Sequence, residues 1–449
     1  MSPFSVIASL PVGRQACEAI PFDINMRLRS LSRVYEGSSR NDKIKYFLIQ
    51  IKIIRVIKIA MKRLLTSFFA HRLTRQVKEL YSSTLILNFA VSTVTIFEPV
   101  FLYLLFIDKY GLTKTLQLVM WFYLGVYIIY FLVLPLGAKF ARRFGYEHSI
   151  AISTIFTAWF YLSLFGAAQN ISFIFASIII YALWKMFYWP AYHCDFAHFS
   201  AQGEQGRQIS NLLVLESVIF ILGPLFGGLI LKFFGFNVLF ILAALLMILS
   251  NVPMLLTKEK FEPADFSYSR AYRRLFSQAN RRKMFSLLGF GEELIVLTIW
   301  PIFIYVAVKD FLGLGVITSI SVLVTTIVFL YIGRVTDKGD GRWLLKYGVI
   351  FYFFSWLLRL IVRGLAGVFL VDVYSRIAKQ SVAIPLTAIT YKEAQDTSII
   401  KTVLFFEMSL VLGKIIAGAL AIILLQFFIP GWNSLFIMSA LISLLYLLF

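Results

Sequence analysis

Runs of about twenty predominantly apolar residues follow one another from residue 83 to the C-terminus, and a helix needs that length to cross a hydrocarbon layer about 30 Å thick. Twelve such runs are present, at approximately 83–106, 115–137, 148–168, 172–193, 208–232, 236–256, 284–308, 312–333, 343–362, 364–386, 402–426 and 431–449. Short gaps holding Gly, Asn, Asp, Lys or Pro separate most of them. Backbone polar groups cannot go unpaired in lipid, so the spanning form is helical and the expected fold is an all-α polytopic membrane protein. No soluble fold of 449 residues could hide this surface: 59% of the residues are hydrophobic and 15% charged, against about 25% charged in ordinary soluble domains, with a mean hydropathy of +0.81.

The net charge of +20 does not indicate nucleic acid, because the basic residues are dispersed between apolar runs and in the N-terminal segment. They alternate from gap to gap. Lys139, Arg142 and Arg143, then Arg207, the stretch from Lys258 to Lys283, Arg334 to Lys346, and Lys392 with Lys401 occupy one set of gaps. The other set holds only Lys109, Lys114, Lys232, Lys309 and Arg363. The positive-inside rule makes the first set cytoplasmic and puts both termini there, as expected for a multi-pass protein of the cell membrane.

Residues 1–80 form a basic cytoplasmic arm. Lys43–Arg63 is apolar and basic together, and a crossing there would bury Lys52, Arg55 and Lys58 at about 2.5–3.5 kcal/mol each. Their helical spacing with Ile and Val between them predicts an amphipathic helix lying on an anionic leaflet. Residues 1–40 show no apolar period and are expected to be disordered or to reflect a misplaced start codon. No removable signal peptide is recognisable. Cys17 and Cys194 have no metal-type spacing and read as free thiols.

The two halves repeat. Glu98-Pro99-Val100-Phe101-Leu102-Tyr103 in the first run reads like Trp300-Pro301-Ile302-Phe303-Ile304-Tyr305 in the seventh. Leu215, Glu216, Leu222, Gly223, Gly227 and Gly228 of the fifth parallel Phe406, Glu407, Leu412, Gly413, Ala417 and Gly418 of the eleventh. The small residues would let helices approach closely. The expected organisation is two six-helix bundles, 81–256 and 284–449, joined by a charged cytoplasmic linker, 257–283.

With these repeats the chain resembles the major facilitator superfamily from Tyr81 to Phe449. Gly333-Arg334-Val335-Thr336-Asp337-Lys338 matches the opening of that family's loop after the eighth helix; in the first-half copy, Ala138 to Gly145, Arg142 stands where the family has Asp. The resemblance implies that Asp337 and Lys338 latch neighbouring helices on the cytoplasmic side. Gly223-Pro224-Leu225-Phe226-Gly227-Gly228 resembles the end of a fifth-helix motif of proton-driven exporters, with Ile219 in place of the upstream glycine. The same glycines could simply make a thin, kinked helix that packs tightly.

Ionisable residues inside apolar runs are costly and therefore candidates for function. They are Glu98, Lys185, Glu216, Glu292, Glu293, Arg359, Asp372, Arg376, Lys379, Glu407 and Lys414. The resemblance implies that the first, fourth, seventh and tenth helices line a cavity. Tyr181, Lys185, Tyr188 and Tyr192 share one face of the fourth, and Asn88, Ser92, Thr95 and Glu98 make a polar stripe on the first. Asp372, Arg376 and Lys379 share a face of the tenth, where Asp372 and Arg376 can pair. A desolvated carboxyl can exchange protons in the physiological range, so Glu98, Glu216, Glu293 and Glu407 are coupling candidates, and Lys185, Tyr188, Asp372 and Arg376 complete the candidate site. Glu98 and Lys185 have no partner on their own helices and rank first.

His193, Cys194, Asp195 and His198 have residue types suited to zinc, but the i, i+5 histidines do not share a helix face, and the cluster reads as a polar helix end. No hydrolase or ATP-pump motif is present. The expectation is a monomeric secondary transporter without cofactor or metal, taking a small-molecule substrate by alternating access, proton-coupled and with export as the suggested direction. The alternative is a non-transporting sensor or scaffold whose working part is the basic arm.

Overall fold

The computed structural model describes residues 75–199, 205–254, 267–337, 342–396, 398–427 and 431–449. The amphipathic segment Lys43–Arg63, Cys17 and Lys338 lie outside the described residues, as do the side chains of Asp337, Asp195 and His198. Among the described residues regular structure is helical throughout, with no strand.

The first helices are α1 (Arg75–Val94), α2 (Glu98–Phe144), α3 (Tyr146–Ala167), α4 (Phe173–Phe199), α5 (Gln205–Leu249) and α6 (Asn251–Met254). A short helix in the linker, α7 (Tyr268–Leu275), leads to α8 (Arg281–Leu287), α9 (Glu292–Leu297) and α10 (Ile299–Val308). Then come α11 (Phe311–Asp337), α12 (Arg342–Leu358), α13 (Gly364–Asp396), α14 (Ile399–Phe427) and α15 (Trp432–Ser443).

Among the described residues, six helical stretches are long and apolar enough to cross a membrane: Ser82–Phe144, Tyr146–Ala167, Phe173–Cys194, Glu216–Leu249, Gln278–Val308 and Ile399–Phe427. Two shorter apolar ones are Phe311–Thr326 and Trp432–Leu448. Large apolar side chains such as Phe175, Phe233, Leu245, Ile361 and Phe427 stand exposed around the molecule, a surface suited to lipid rather than water.

The gaps expected at 107–114 and 233–235 are not loops. In each, two helices meet with only a single non-helical glycine between them, Gly111 (φ 69°) and Gly235 (φ 78°), a backbone region that residues with a Cβ disfavour, and the direction changes there. Reversal is required by the contacts. The Tyr123 hydroxyl donates to Glu98 Oε1 at 2.9 Å although the two residues are 25 apart, about 37 Å along a straight helix. Likewise α1 reaches Glu216 through Asn88, at 2.7 Å, and also packs on α6, which follows Gly235. The gaps expected from the apolar runs and the turning points in the structure thus fall at different residues, the turns being confined to Gly111 and Gly235.

The Pro-x-Phe-x-Tyr copies behave alike. The helix is interrupted between Val94 and Glu98 and again between Leu297 and Ile299. Each break precedes a proline, Pro99 or Pro301, whose ring clashes with the carbonyl four residues back. The paired glycines also act alike. A Cβ on Gly223 would fall 1.9 Å from Ser92 Oγ, and one on Gly227 would fall 2.1 Å from the Thr93 carbonyl, so α5 lies directly against α1. A Cβ on Gly413 would fall 2.6 Å from the Leu288 carbonyl. Gly315 in α11 meets the Pro224 carbonyl at 2.3 Å in the same sense, which closes α11 onto α5.

The linker helix α7 is docked rather than loose. Pro135 inside α2 has no N–H for the carbonyl of Phe131, and the Tyr272 hydroxyl donates to that carbonyl at 2.8 Å. Tyr268 donates to the neighbouring Leu132 carbonyl, also at 2.8 Å. On its other side α7 packs against α14.

Candidate functional site

Two cavities lie side by side in the centre. The smaller, about 130 Å³, is walled by α1, α2, α4 and α14 and includes Asn88, Tyr127, Tyr181, Lys185, Tyr188, Glu407 and Lys414. The larger, about 180 Å³, is walled mainly by α9 to α13 and includes Glu293, Trp300, Arg359, Asp372, Arg376 and Lys379. Thr95, Phe220 and Leu297 line both.

Of the face expected on α4, Tyr181, Lys185 and Tyr188 line the smaller cavity and Tyr192 does not. The Lys185 ammonium lies 4.4 Å over the Tyr181 ring, 4.8 Å from Trp184 and 5.4 Å from Tyr127. Among the described residues it forms no ion pair, and its nearest stabilising contacts are these ring faces. Tyr188 stacks on Tyr192 at 5.4 Å.

Glu98 is buried but does not line either cavity. It lies one layer behind, accepting hydrogen bonds from Tyr123 at 2.9 Å and Tyr161 at 3.4 Å. Its connection to Lys185 runs through rings, from Tyr123 to Tyr181, whose centroids are 6.5 Å apart. The polar stripe on the first span divides at the helix break: Asn88, Ser92 and Thr95 meet the cavities, whereas Glu98 begins the next helix facing away.

The remaining candidates are partnered across helices. Glu216 accepts from Asn88 Nδ2 at 2.7 Å. Glu407 Oε1 lies 2.9 Å from His193 Nε2, and Glu407 Oε2 accepts from Tyr130 at 3.2 Å, linking α14 to α4 and α2. Glu293 pairs with Lys414 at 2.8 Å, and Asp372 takes Arg376 Nε at 2.7 Å and Trp300 Nε1 at 2.8 Å. His193 is thus engaged with a carboxylate, and among the described residues no cluster of three metal-ligating side chains occurs.

Besides Lys379 and Lys414, which pair with buried carboxylates, Glu292 and Arg359 lie outside the ranked candidates. Glu292 is fully buried and holds Lys379, Tyr352 at 2.5 Å and Tyr446 at 3.0 Å. Arg359, at the end of α12, is buried against two tryptophans. The signal for both was a charge inside an apolar run. What could not be read locally was which helix each would face.

The sequence matches the family model described as Major Facilitator Superfamily over residues 80–306, more than half of the chain. No curated protein is similar enough in sequence to match. Solved structures are similar in fold. The crystal structure of the POT family transporter PepTSo aligns with a TM-score of 0.61 at 13% identity, covering 84% of this chain and 98% of that one. An auto-inhibited POT family peptide transporter aligns at 0.63 and 13% identity, over 83% and 96%. A D-xylose-proton symporter aligns at 0.61 and 13% identity, over 82% and 96%. Spanning helices, paired central cavities and a family match over more than half its length converge on one statement: this multi-pass membrane protein belongs to the Major Facilitator Superfamily.

Proposed function

We propose that the protein is a secondary active transporter that carries a small solute by alternating access. The observation that carries this reading is the pair of central cavities, which share Thr95, Phe220 and Leu297 in their linings and are walled by buried ionisable side chains that a purely packed core would not retain. Twelve crossings in two six-helix bundles, 81–256 and 284–449, are part of this reading, supported by the twelve apolar runs and the reversals at Gly111 and Gly235. Both termini and the linker are cytoplasmic in this reading, by the distribution of Lys and Arg, and one chain forms the whole pathway.

Proton coupling is proposed for the carboxylates Glu98, Glu216, Glu293 and Glu407, with Glu98 first. Its oxygens are held by tyrosine hydroxyls and not by a fixed cation, so protonation breaks no ion pair. Lys185, Tyr188, Asp372 and Arg376 are proposed to contact or orient the solute, and Asp337 with Lys338 to latch the cytoplasmic side. Export is suggested by the Gly223-Pro224 to Gly228 motif; the close approach of its glycines to Ser92 and Thr93 gives those residues a packing role as well.

The test is uptake and release of organic acids, cations, sugars, amino acids and peptides in proteoliposomes, with and without an imposed pH gradient. Gradient-dependent movement of one class supports the reading and its sign gives the direction. Movement of none, with the protein folded in the vesicles, would favour a sensor or scaffold.

A further inference from the structure

Arg359 is 3% exposed, and its guanidinium lies 3.7 Å from the ring centroid of Trp356 and 4.5 Å from that of Trp300. Stacking engages only the faces of a guanidinium. Its N–H groups radiate in the plane, and Arg359 Nε and Nη1 are buried without a hydrogen-bond partner. Three other buried side chains on the wall of the larger cavity share that condition: Thr318 at Oγ1, Ser375 at Oγ and Gln380 at Oε1. The other charges on this wall are matched, Asp372 by Arg376, Lys379 by Glu292 and Glu293 by Lys414. Among the described residues on this wall Arg359 is therefore the cation in excess, and a buried charge with open donors calls for an acceptor.

We propose that the larger cavity takes an organic carboxylate, with its carboxyl group held by Arg359. The inference names the solute class for the transport reading above and rests on it. A carboxylate fits because guanidinium donors match its planar pair of oxygens and because one excess positive charge calls for a monoanion. A phosphate dianion would bring a second negative charge toward Asp372 and Glu293 on the same wall. Thr318 and Ser375 offer further hydroxyl donors, and Gln380 Oε1 can accept from a hydroxyl or ammonium group on the ligand. Trp300, Pro301 and Ile304 supply an apolar wall for its carbon skeleton.

The test is thermal unfolding of the full-length protein in detergent with sodium benzoate, hexanoate and lactate. Benzamide, hexanamide, lactamide, sodium chloride and inorganic phosphate serve as controls, since a ligand of the folded state raises Tm. At least one carboxylate is expected to raise Tm by several degrees where its amide does not. Arg359→Gln removes that difference, and Arg359→Lys, which keeps the charge and loses the fork, shifts the half-maximal concentration upward several-fold. Ser375→Ala, which leaves the guanidinium in place, does so more weakly and covers the case in which Arg359→Gln does not fold. Equal response to acids and amides, an undiminished response in Arg359→Gln, or a response to phosphate alone overturns the proposal. Failure of the transport reading is distinguishable: carboxylate binding without movement in proteoliposomes sinks transport and leaves this site, whereas accumulation of a neutral solute with Arg359→Gln indifferent does the reverse.

Discussion

Lys414 Nζ lies 2.8 Å from Glu293 Oε2, and this buried pair fastens the middle of α14 to α9 at the boundary between the two cavities. Removing one partner of such a pair leaves the other charge uncompensated, which typically costs about 3–5 kcal/mol. Lys414→Met is therefore expected to lower the thermal midpoint in detergent sharply. Adding Glu293→Gln should recover much of the loss. A double variant no more stable than the single one would show that the pair is not the source.

The glycines of the fifth span make a sharper steric prediction. Gly227→Ala drives a methyl to 2.1 Å from the Thr93 carbonyl, and overpacking of this kind costs about 1–3 kcal/mol. Gly367→Ala, whose nearest neighbour would be Val362 at 3.8 Å, is the control and should leave the midpoint unchanged. Size-exclusion profiles and thermal midpoints of the two variants decide it, and equal behaviour would contradict the packing described for α5 on α1.

For coupling, Glu98→Gln keeps the shape and one acceptor oxygen for Tyr123 or Tyr161 while removing the titrating group. Exchange without a gradient should continue near the wild-type rate, and acceleration by an imposed pH gradient should disappear. Retained gradient dependence in proteoliposomes would move the proton to another carboxylate.

Lys185→Met keeps the hydrocarbon stem among Tyr127, Tyr181 and Trp184 but removes the cation. Expression and midpoint should change little, while KM for an anionic solute rises several-fold. If instead the variant fails to fold and KM in Lys185→Arg is unchanged, the residue is structural.

Orientation is testable at exposed Ser269 in α7. In a Cys17→Ser background, Ser269→Cys should resist a membrane-impermeant thiol reagent applied outside and react after permeabilisation. Buried Cys194 should stay unlabelled in both conditions. Outside labelling of the new cysteine would invert the topology.

Local pattern carried a good part of this fold. Apolar run length located much of the helical sequence, but the runs at 83–106 and 284–308 were read as unbroken, and the helix breaks before Pro99 and Pro301 lie inside them, because run length does not register a missing N–H or a ring clash. The i, i+4 relation of Asp372 and Arg376 likewise needed nothing beyond helical geometry. Pairings between helices were a different matter. Glu407 with His193, Glu98 with Tyr123 and Tyr161, and Glu292 with Lys379 join residues whose sequence separation contains no periodic signal. The expectation that Glu98 meets the cavity failed for a local reason: the break before Pro99 rotates the stripe, so a regular 3.6-residue count cannot be carried across it.

The docking of α7 bears on how far α2 and α8 can part. Between Leu275 and Arg281 only residues 276–280 remain, a length of at most about 18 Å when fully drawn out. Ser277 and Asn280 fold even that length back onto the Arg274 carbonyl. The connection thus has almost no slack while Tyr268 and Tyr272 hold the Phe131 and Leu132 carbonyls. Any separation of α2 from α8 beyond that length must first unhook the two phenols. Because Pro135 permanently denies the Phe131 carbonyl its helical partner, the hook always has an eye to return to.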